Sequence, residues 1–237
     1  MPKPMPFLPI DIILVRTQER EPLVEALAFA LDYITPKEPI ASDPSVPAEL
    51  SRVRACLVLG PLKGWVAVCL SPLLREDDIV EKVARLLSLR VGGSLQLAVG
   101  DGALLYELYQ NGEMIHSYYT NESLPEFRLN PPIKEQAEEL ASVLGLSDPS
   151  GSLTKLSKAI QPPTEGWGEE IFRELSKLLA LPPELAVNFE SLWEEGALDA
   201  MVGKQRRALC HWKEEPMMYL EADSFIEAET TAKRWLH

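Results

Sequence analysis

The chain has 237 residues, of which 46% are hydrophobic and 25% charged, with 13 Gly and 20 Pro. Such fractions describe a globular chain long enough to bury one large core or two smaller ones, and they exclude a disordered chain or a membrane-spanning bundle. With 36 acidic residues against 23 basic, the net charge of −13 opposes approach to phosphate backbones and anionic lipid, so neither nucleic acid nor a membrane surface is expected as a partner.

In chain order, Ile10 to Val15 is a β-branched run of strand length. Glu21 to Tyr33 then sets Leu23, Leu27, Ala30, Leu31 and Ile34 at helical spacing. Residues 35–49 carry Pro36, Pro39, Pro44 and Pro47, each fixing φ and removing a backbone donor, and are expected to be a surface loop. Val53 to Leu59 and Trp65 to Leu70 read as two strands joined by a glycine-bearing turn over Gly60 to Gly64. Ser71-Pro72 halts the second strand, and Asp77 or Asp78 caps a helix with the core face Ile79, Val80, Val83, Leu86 and Leu87, ending near Gly92-Gly93. Three further strands, Ser94 to Val99, Ala103 to Tyr109 and Met114 to Tyr119, are punctuated by Gly100-Asp101-Gly102 and by Asn111-Gly112, a strong hairpin signal.

Beyond Asn121 the texture changes. Pro125, Pro131 and Pro132 mark a domain boundary at 122–132, and helical patterns follow at 133–145, 152–160, 166–180 and 183–197. Pro182-Pro183 suits a helix end followed by a new helix start. Arg207 to Trp212 and Met217 to Ala222 fit two short strands around Lys213 to Pro216, with a helical reading also open, and Ser224 to Trp235 reads as a terminal helix. The expected fold is therefore α+β. An N-terminal domain (1–125) has a mostly antiparallel sheet with two helices on one face, in the ferredoxin-like order β-α-β-β-α-β plus an extra hairpin. A mainly helical C-terminal domain (126–237) follows.

The residues that carry chemistry are sparse. Cys56, Cys69 and Cys210 cannot all pair within one chain and show no metal-ligand spacing, which suits a reducing, cytoplasmic location. The apolar run from Phe7 to Val15, interrupted by Pro9 and Asp11, is too short for a signal segment or a span. Glycines at 92, 93, 100 and 102 match neither a dinucleotide nor a P-loop fingerprint and read as turn residues. The three histidines, His116, His211 and His237, are too scattered for a metal site, and neighbours such as Cys210 and His211 point to opposite faces of a strand. The paired acids at 138–139, 169–170 and 194–195 diverge by about 100° on a helix and read as solvated surface. Lys204 to Arg207, a lone basic knot, is outweighed by its acidic flanks. No serine elbow or metalloprotease motif is present, so the sequence assigns no catalytic residue, metal or cofactor. Asp101, set in a tight glycine turn at a strand end, and His116 are the polar candidates for a ligand site or interface. Trp65 and Tyr106 are the aromatic ones.

One segment carries a resemblance. Gly64-Trp65, Leu86-Leu-Ser88, Leu95-Gln-Leu-Ala-Val99, Asp101-Gly-Ala-Leu-Leu-Tyr106-Glu-Leu-Tyr109 and Asn111-Gly112-Glu113 follow one another as a tryptophan strand, a helix ending in Leu-Ser, a strand, an Asp turn, a Tyr strand and a Gly hairpin. In this the stretch 64–121 resembles a loosely defined group of uncharacterised bacterial α+β proteins, with Gly102 standing where a Ser-Asp continuation is expected. The resemblance implies no activity, only an accessory or interaction role of the kind immunity-type proteins have. The expected function is that of a non-enzymatic cytoplasmic protein whose acidic surface selects a basic protein partner. The alternative is an enzyme or small-molecule binder with its site between the two domains, where ligands often lodge.

Overall fold

The computed structural model of the protein describes residues 10–34, 54–75, 77–100, 103–121, 172–173, 175–177, 179–194, 207–212 and 215–221. The proline-rich loop at 35–49, Asp101 and Gly102, the boundary at 122–132, the helical patterns at 133–145 and 152–160 and the terminal helix from Ser224 lie outside these residues.

The first strand, β1 (Ile10–Arg16), leads into helix α1 (Glu21–Ile34), and then come β2 (Ala55–Leu62) and β3 (Trp65–Leu70). A single 3-10 turn over Pro72–Leu74 connects to helix α2 (Asp77–Val91), followed by β4 (Ser94–Gly100), β5 (Ala103–Gln110) and β6 (Glu113–Asn121). Farther along lie a 3-10 turn at Pro183–Leu185, the short helix α3 (Phe189–Glu194), and strands β7 (Arg207–Trp212) and β8 (Glu215–Glu221). Among the described residues all eight strands join one sheet in the spatial order β6-β5-β4-β1-β3-β2-β8-β7, and every pairing is antiparallel. The protein is thus α+β, with a mostly antiparallel sheet.

Two tight turns set the register. At Asn111-Gly112 both residues have positive φ, +50° and +84°, the geometry whose twist matches that of the flanking strands. The β2–β3 turn is shorter than the five residues expected. Pairing continues past an irregularity between Leu59 and Leu62, and the chain reverses at Lys63-Gly64, with φ of +47° and +82°. Helix α2 ends where the sequence placed its end: Gly92, at φ +90°, donates its N–H to Ser88 O at 2.8 Å.

Continuous apolar runs in β2 and β3 have a physical reason, because both faces of these strands are covered. On one face Ile13, Val15, Val58, Val66 and Val68 pack against Leu23, Val24 and Leu27 of α1 and Ile79, Val83, Ala84 and Leu87 of α2. Ala84 takes the fully buried place expected for Leu86, which is only half-buried. On the other face Ile12, Leu14, Leu57, Leu59, Ala67, Leu95 and Leu97 pack against Phe172, Leu175, Leu179, Leu185, Phe189 and Leu192. The two helices therefore share one face, as expected, and the segment from 172 to 194 covers the opposite one.

Within that segment the described residues between 172 and 179 are helical, and the chain leaves this helix at Ala180, whose φ is +48°. Of the helix expected over 183–197, the described residues 183–194 form instead a 3-10 turn followed by α3, because the chain is re-capped between them: Asn188 Oδ1 accepts the N–H of Ser191 at 2.7 Å. The open question at 207–222 is answered by a hairpin. Its strand β8 pairs with β2 from Ala55↔Glu221 to Leu59↔Met217, so residues late in the chain complete the sheet begun at Ile10.

Candidate functional site

The three described candidates from the sequence, Trp65, Tyr106 and His116, do not all converge. Trp65 is a core residue: it is buried, its indole Nε1–H donates to Leu179 O at 3.0 Å, and the Arg16 guanidinium lies 5.6 Å from its ring centre. Tyr106, on β5, lies in register with Leu97 and through it with Ile12, whereas Trp65 lies opposite Arg16. Three strand spacings and four residues of rise place Trp65 and Tyr106 roughly 20 Å apart. Tyr106 and His116 do meet. They sit on neighbouring strands with ring centres 5.4 Å apart and planes tilted by 32°, Tyr106 buried and His116 half-buried. Asp101 falls outside the described residues, in the link between the paired residues Gly100 and Ala103.

A charged cluster that sequence reasoning missed stands at the end of the sheet where β1 begins and β3 ends. The β1–β3 ladder runs only from Arg16↔Trp65 to Ile13↔Val68, so the backbone groups beyond it need other partners. Asp11 N–H donates to Val187 O at 3.4 Å, and Arg75 Nε donates to Leu70 O at 3.1 Å. The same Nε lies 3.2 Å from Asp11 Oδ2, and Arg75 Nη2 pairs with Glu190 Oε2 on α3. One guanidinium thus holds two carboxylates and a carbonyl, tying β1, β3 and the covering segment together. Burial pushes the Asp11 carboxyl above its ordinary range; Arg75 opposes this, and the nearby Glu190 charge adds to it. No short motif signals this cluster, since its members lie 64 and 115 positions apart and only the topology unites them.

A second polar network lies on the helix side. Arg85 of α2 contacts Glu81 through Nε at 2.8 Å and through Nη2 at 2.7 Å, donates from Nη1 to Gly112 O at 3.0 Å, and lies 5.6 Å from the Tyr109 ring centre. Ser88 Oγ accepts the Gly112 N–H at 2.8 Å, so α2 pins the β5–β6 turn through side chains. Tyr109 donates its hydroxyl to Glu107 Oε2, and burial with that hydrogen bond pushes the phenol pKa upward.

Cys56 and Cys69 are chemically quiet. Cys56 belongs to the core beneath the helices and Cys69 to the opposite one, so the two thiols point away from each other across the sheet. Burial pushes both thiols far above their usual range, which suppresses the reactive thiolate. Among the described residues no group of three or more His, Cys, Asp or Glu is placed to hold a metal ion, and no helix is long and apolar enough to cross a membrane.

No protein-family model, no curated protein and no solved structure matches the chain.

Proposed function

We propose that this protein is a non-enzymatic, cytoplasmic accessory protein that binds a basic protein partner through the β5–β6 end of its sheet. The observation that carries the reading is the composition of that end. Strand β6 closes the strand order, and beside its turn stand the two large hydrophobic side chains that are exposed among the described residues, Leu89 at 60% and Met114 at 43%. Edge strands offer backbone donors and acceptors to an incoming strand, and exposed apolar side chains beside them give such pairing an apolar anchor. The net charge of −13 favours a cationic partner by steering. The core elements β1-α1-β2-β3-α2-β4, whose strands stand in the order β4-β1-β3-β2, form a ferredoxin-like frame in this reading, extended by a hairpin at each edge.

Affinity capture at low and high salt, with Leu89→Ser/Met114→Ser beside the natural chain, tests the proposal. A basic protein retained at low salt, released at high salt and lost with the double variant is the expected result. Capture unaffected by the two substitutions, or a salt-insensitive thermal shift with a metabolite and no protein captured, would overturn it.

A further inference from the structure

Gln96 on β4 is buried at 7% exposure, yet its Oε1 has no hydrogen-bond partner among the described residues. A buried amide oxygen without a donor is costly, so one left open in a well-packed sheet calls for an explanation. Its surroundings supply one. Gln96 lies on the helix side of the sheet, in line with Ile13, and directly opposite Glu107 of β5. At that register the two side chains start about 5 Å apart at Cβ. Glu107 receives the Tyr109 hydroxyl on Oε2, while its Oε1 is engaged by no described residue. The nearest guanidinium of the network, Arg85, is committed to Glu81 and Gly112. The result is a carboxylate with no cation in ion-pair range among the described residues, beside an amide oxygen with no donor. A single water would satisfy the amide but would leave the carboxylate without a counter-charge.

We propose that Gln96 and Glu107 form a seat for one cationic side chain, lysine or arginine, contributed by the partner. This rests on the reading that a basic protein binds at the β6 edge, and it names the group that the edge selects. On that side Ser117, opposite Glu107 on β6, is exposed, and Leu105 and Ala98 next to the pair are half-buried, so the cation reaches the buried Gln96 oxygen past the Glu107 carboxylate. A strand added alongside β6 would stand two strand spacings, ~10 Å, from β5, a gap that a long basic side chain over Ser117 and the Glu107 side chain can close between them. Arginine fits best, since its fork can donate to the carboxylate and to the amide oxygen together.

The seat can be tested without the partner. Methylguanidinium is titrated into the ¹⁵N-labelled full chain while the Gln96 side-chain amide signals are followed, with neutral N-methylurea as the control. The Gln96 signals should move saturably with the cation and not with the urea, and Glu107→Gln, which keeps shape and the tyrosine bond, should weaken binding about tenfold. Gln96→Met, of similar volume, should abolish binding while the chain stays folded. Equal responses to cation and urea, or a Glu107→Gln chain that binds as tightly as the natural one, would overturn the seat. Salt-sensitive capture lost with Leu89→Ser/Met114→Ser, but unaffected by Glu107→Gln, would remove the seat and leave the docking edge standing. A seat that binds methylguanidinium in a chain that captures no basic protein would remove the docking edge instead.

Discussion

Replacing Arg75 by Met is the sharpest probe of how the layers are held together. The substitution keeps an unbranched apolar stem and removes the guanidinium that serves Asp11, Glu190 and Leu70 O. Removing one partner of a fully buried ion pair costs about 3–5 kcal/mol, because the remaining charge is left uncompensated. Here the Arg75 and Asp11 side chains keep 23% and 28% exposure, so solvent screens part of that cost. A loss of about 2–3 kcal/mol near neutral pH is expected, equivalent to roughly 5–10 °C in Tm for a chain of this size. The pH dependence carries its own sign. The Asp11 carboxyl titrates above its unfolded value of 3.8, so the native state holds its proton more tightly than the unfolded chain. Its contribution to stability is therefore greatest below that value and falls as pH rises through the raised one. Without Arg75, the opposing attraction disappears and the native carboxyl rises further. The deficit of the variant should thus grow with pH above the unfolded value and fade below it. Urea unfolding followed by tryptophan fluorescence, at about pH 7.5 and again near pH 4, reads both the magnitude and the trend. A deficit under about 0.5 kcal/mol at neutral pH, or one that does not shrink on acidification, would refute the account. Asp11→Asn should be nearly neutral by the same measure, since it removes a charge whose burial is unfavourable.

Three further outcomes are expected. Trp65→Phe should cost about 1–3 kcal/mol in the same urea assay, because Leu179 O loses its buried donor; a change near zero would show that water replaces it. Cys56 and Cys69 should resist a thiol reagent in the native chain and react after denaturation without reductant, which peptide mass spectrometry after alkylation distinguishes; a bridge between them would contradict their placement on opposite faces. A fragment ending at residue 125 should lack a cooperative urea transition and bind a hydrophobic dye, since it bares the β2 edge and the apolar face covered by Phe172 to Leu192; a sharp transition like that of the full chain would refute this.

Much of the sheet was legible because its signals are local. Asn111-Gly112 announces its turn, the spacing of Leu23, Leu27 and Leu31 announces α1, and Gly92 announces the end of α2. The runs Cys56 to Leu59 and Trp65 to Leu70, apolar at every position, also carry the signature of strands buried on both faces, although helices were expected on only one. What covers the second face was not legible, because amphipathic spacing in residues 172–194 tells that a face is buried and not against what. Nor was the Asp11–Arg75–Glu190 cluster. Asp11 read as an interruption of an apolar run, and its reason lies in a ladder that stops at Ile13, a fact of topology with no trace in composition. Among the candidates, Trp65 was singled out as an aromatic that interfaces favour, and the buried bond to Leu179 O places it in the core.

The pairing of β8 with β2 also has a consequence in time. Leu57 finds its partner Tyr219 about 160 residues later in the chain, so at ordinary rates of translation β2 waits roughly 10–30 s for the strand that covers its side. During that wait Ala55 to Leu59, uncharged and apolar throughout, is a bare strand edge able to pair with any other nascent chain of the same kind. Synonymous codon changes that lengthen the interval should therefore raise the insoluble fraction during synthesis while leaving the stability of the finished protein untouched, and holdase chaperones that shield extended apolar segments should matter most to this protein before residue 221 has emerged.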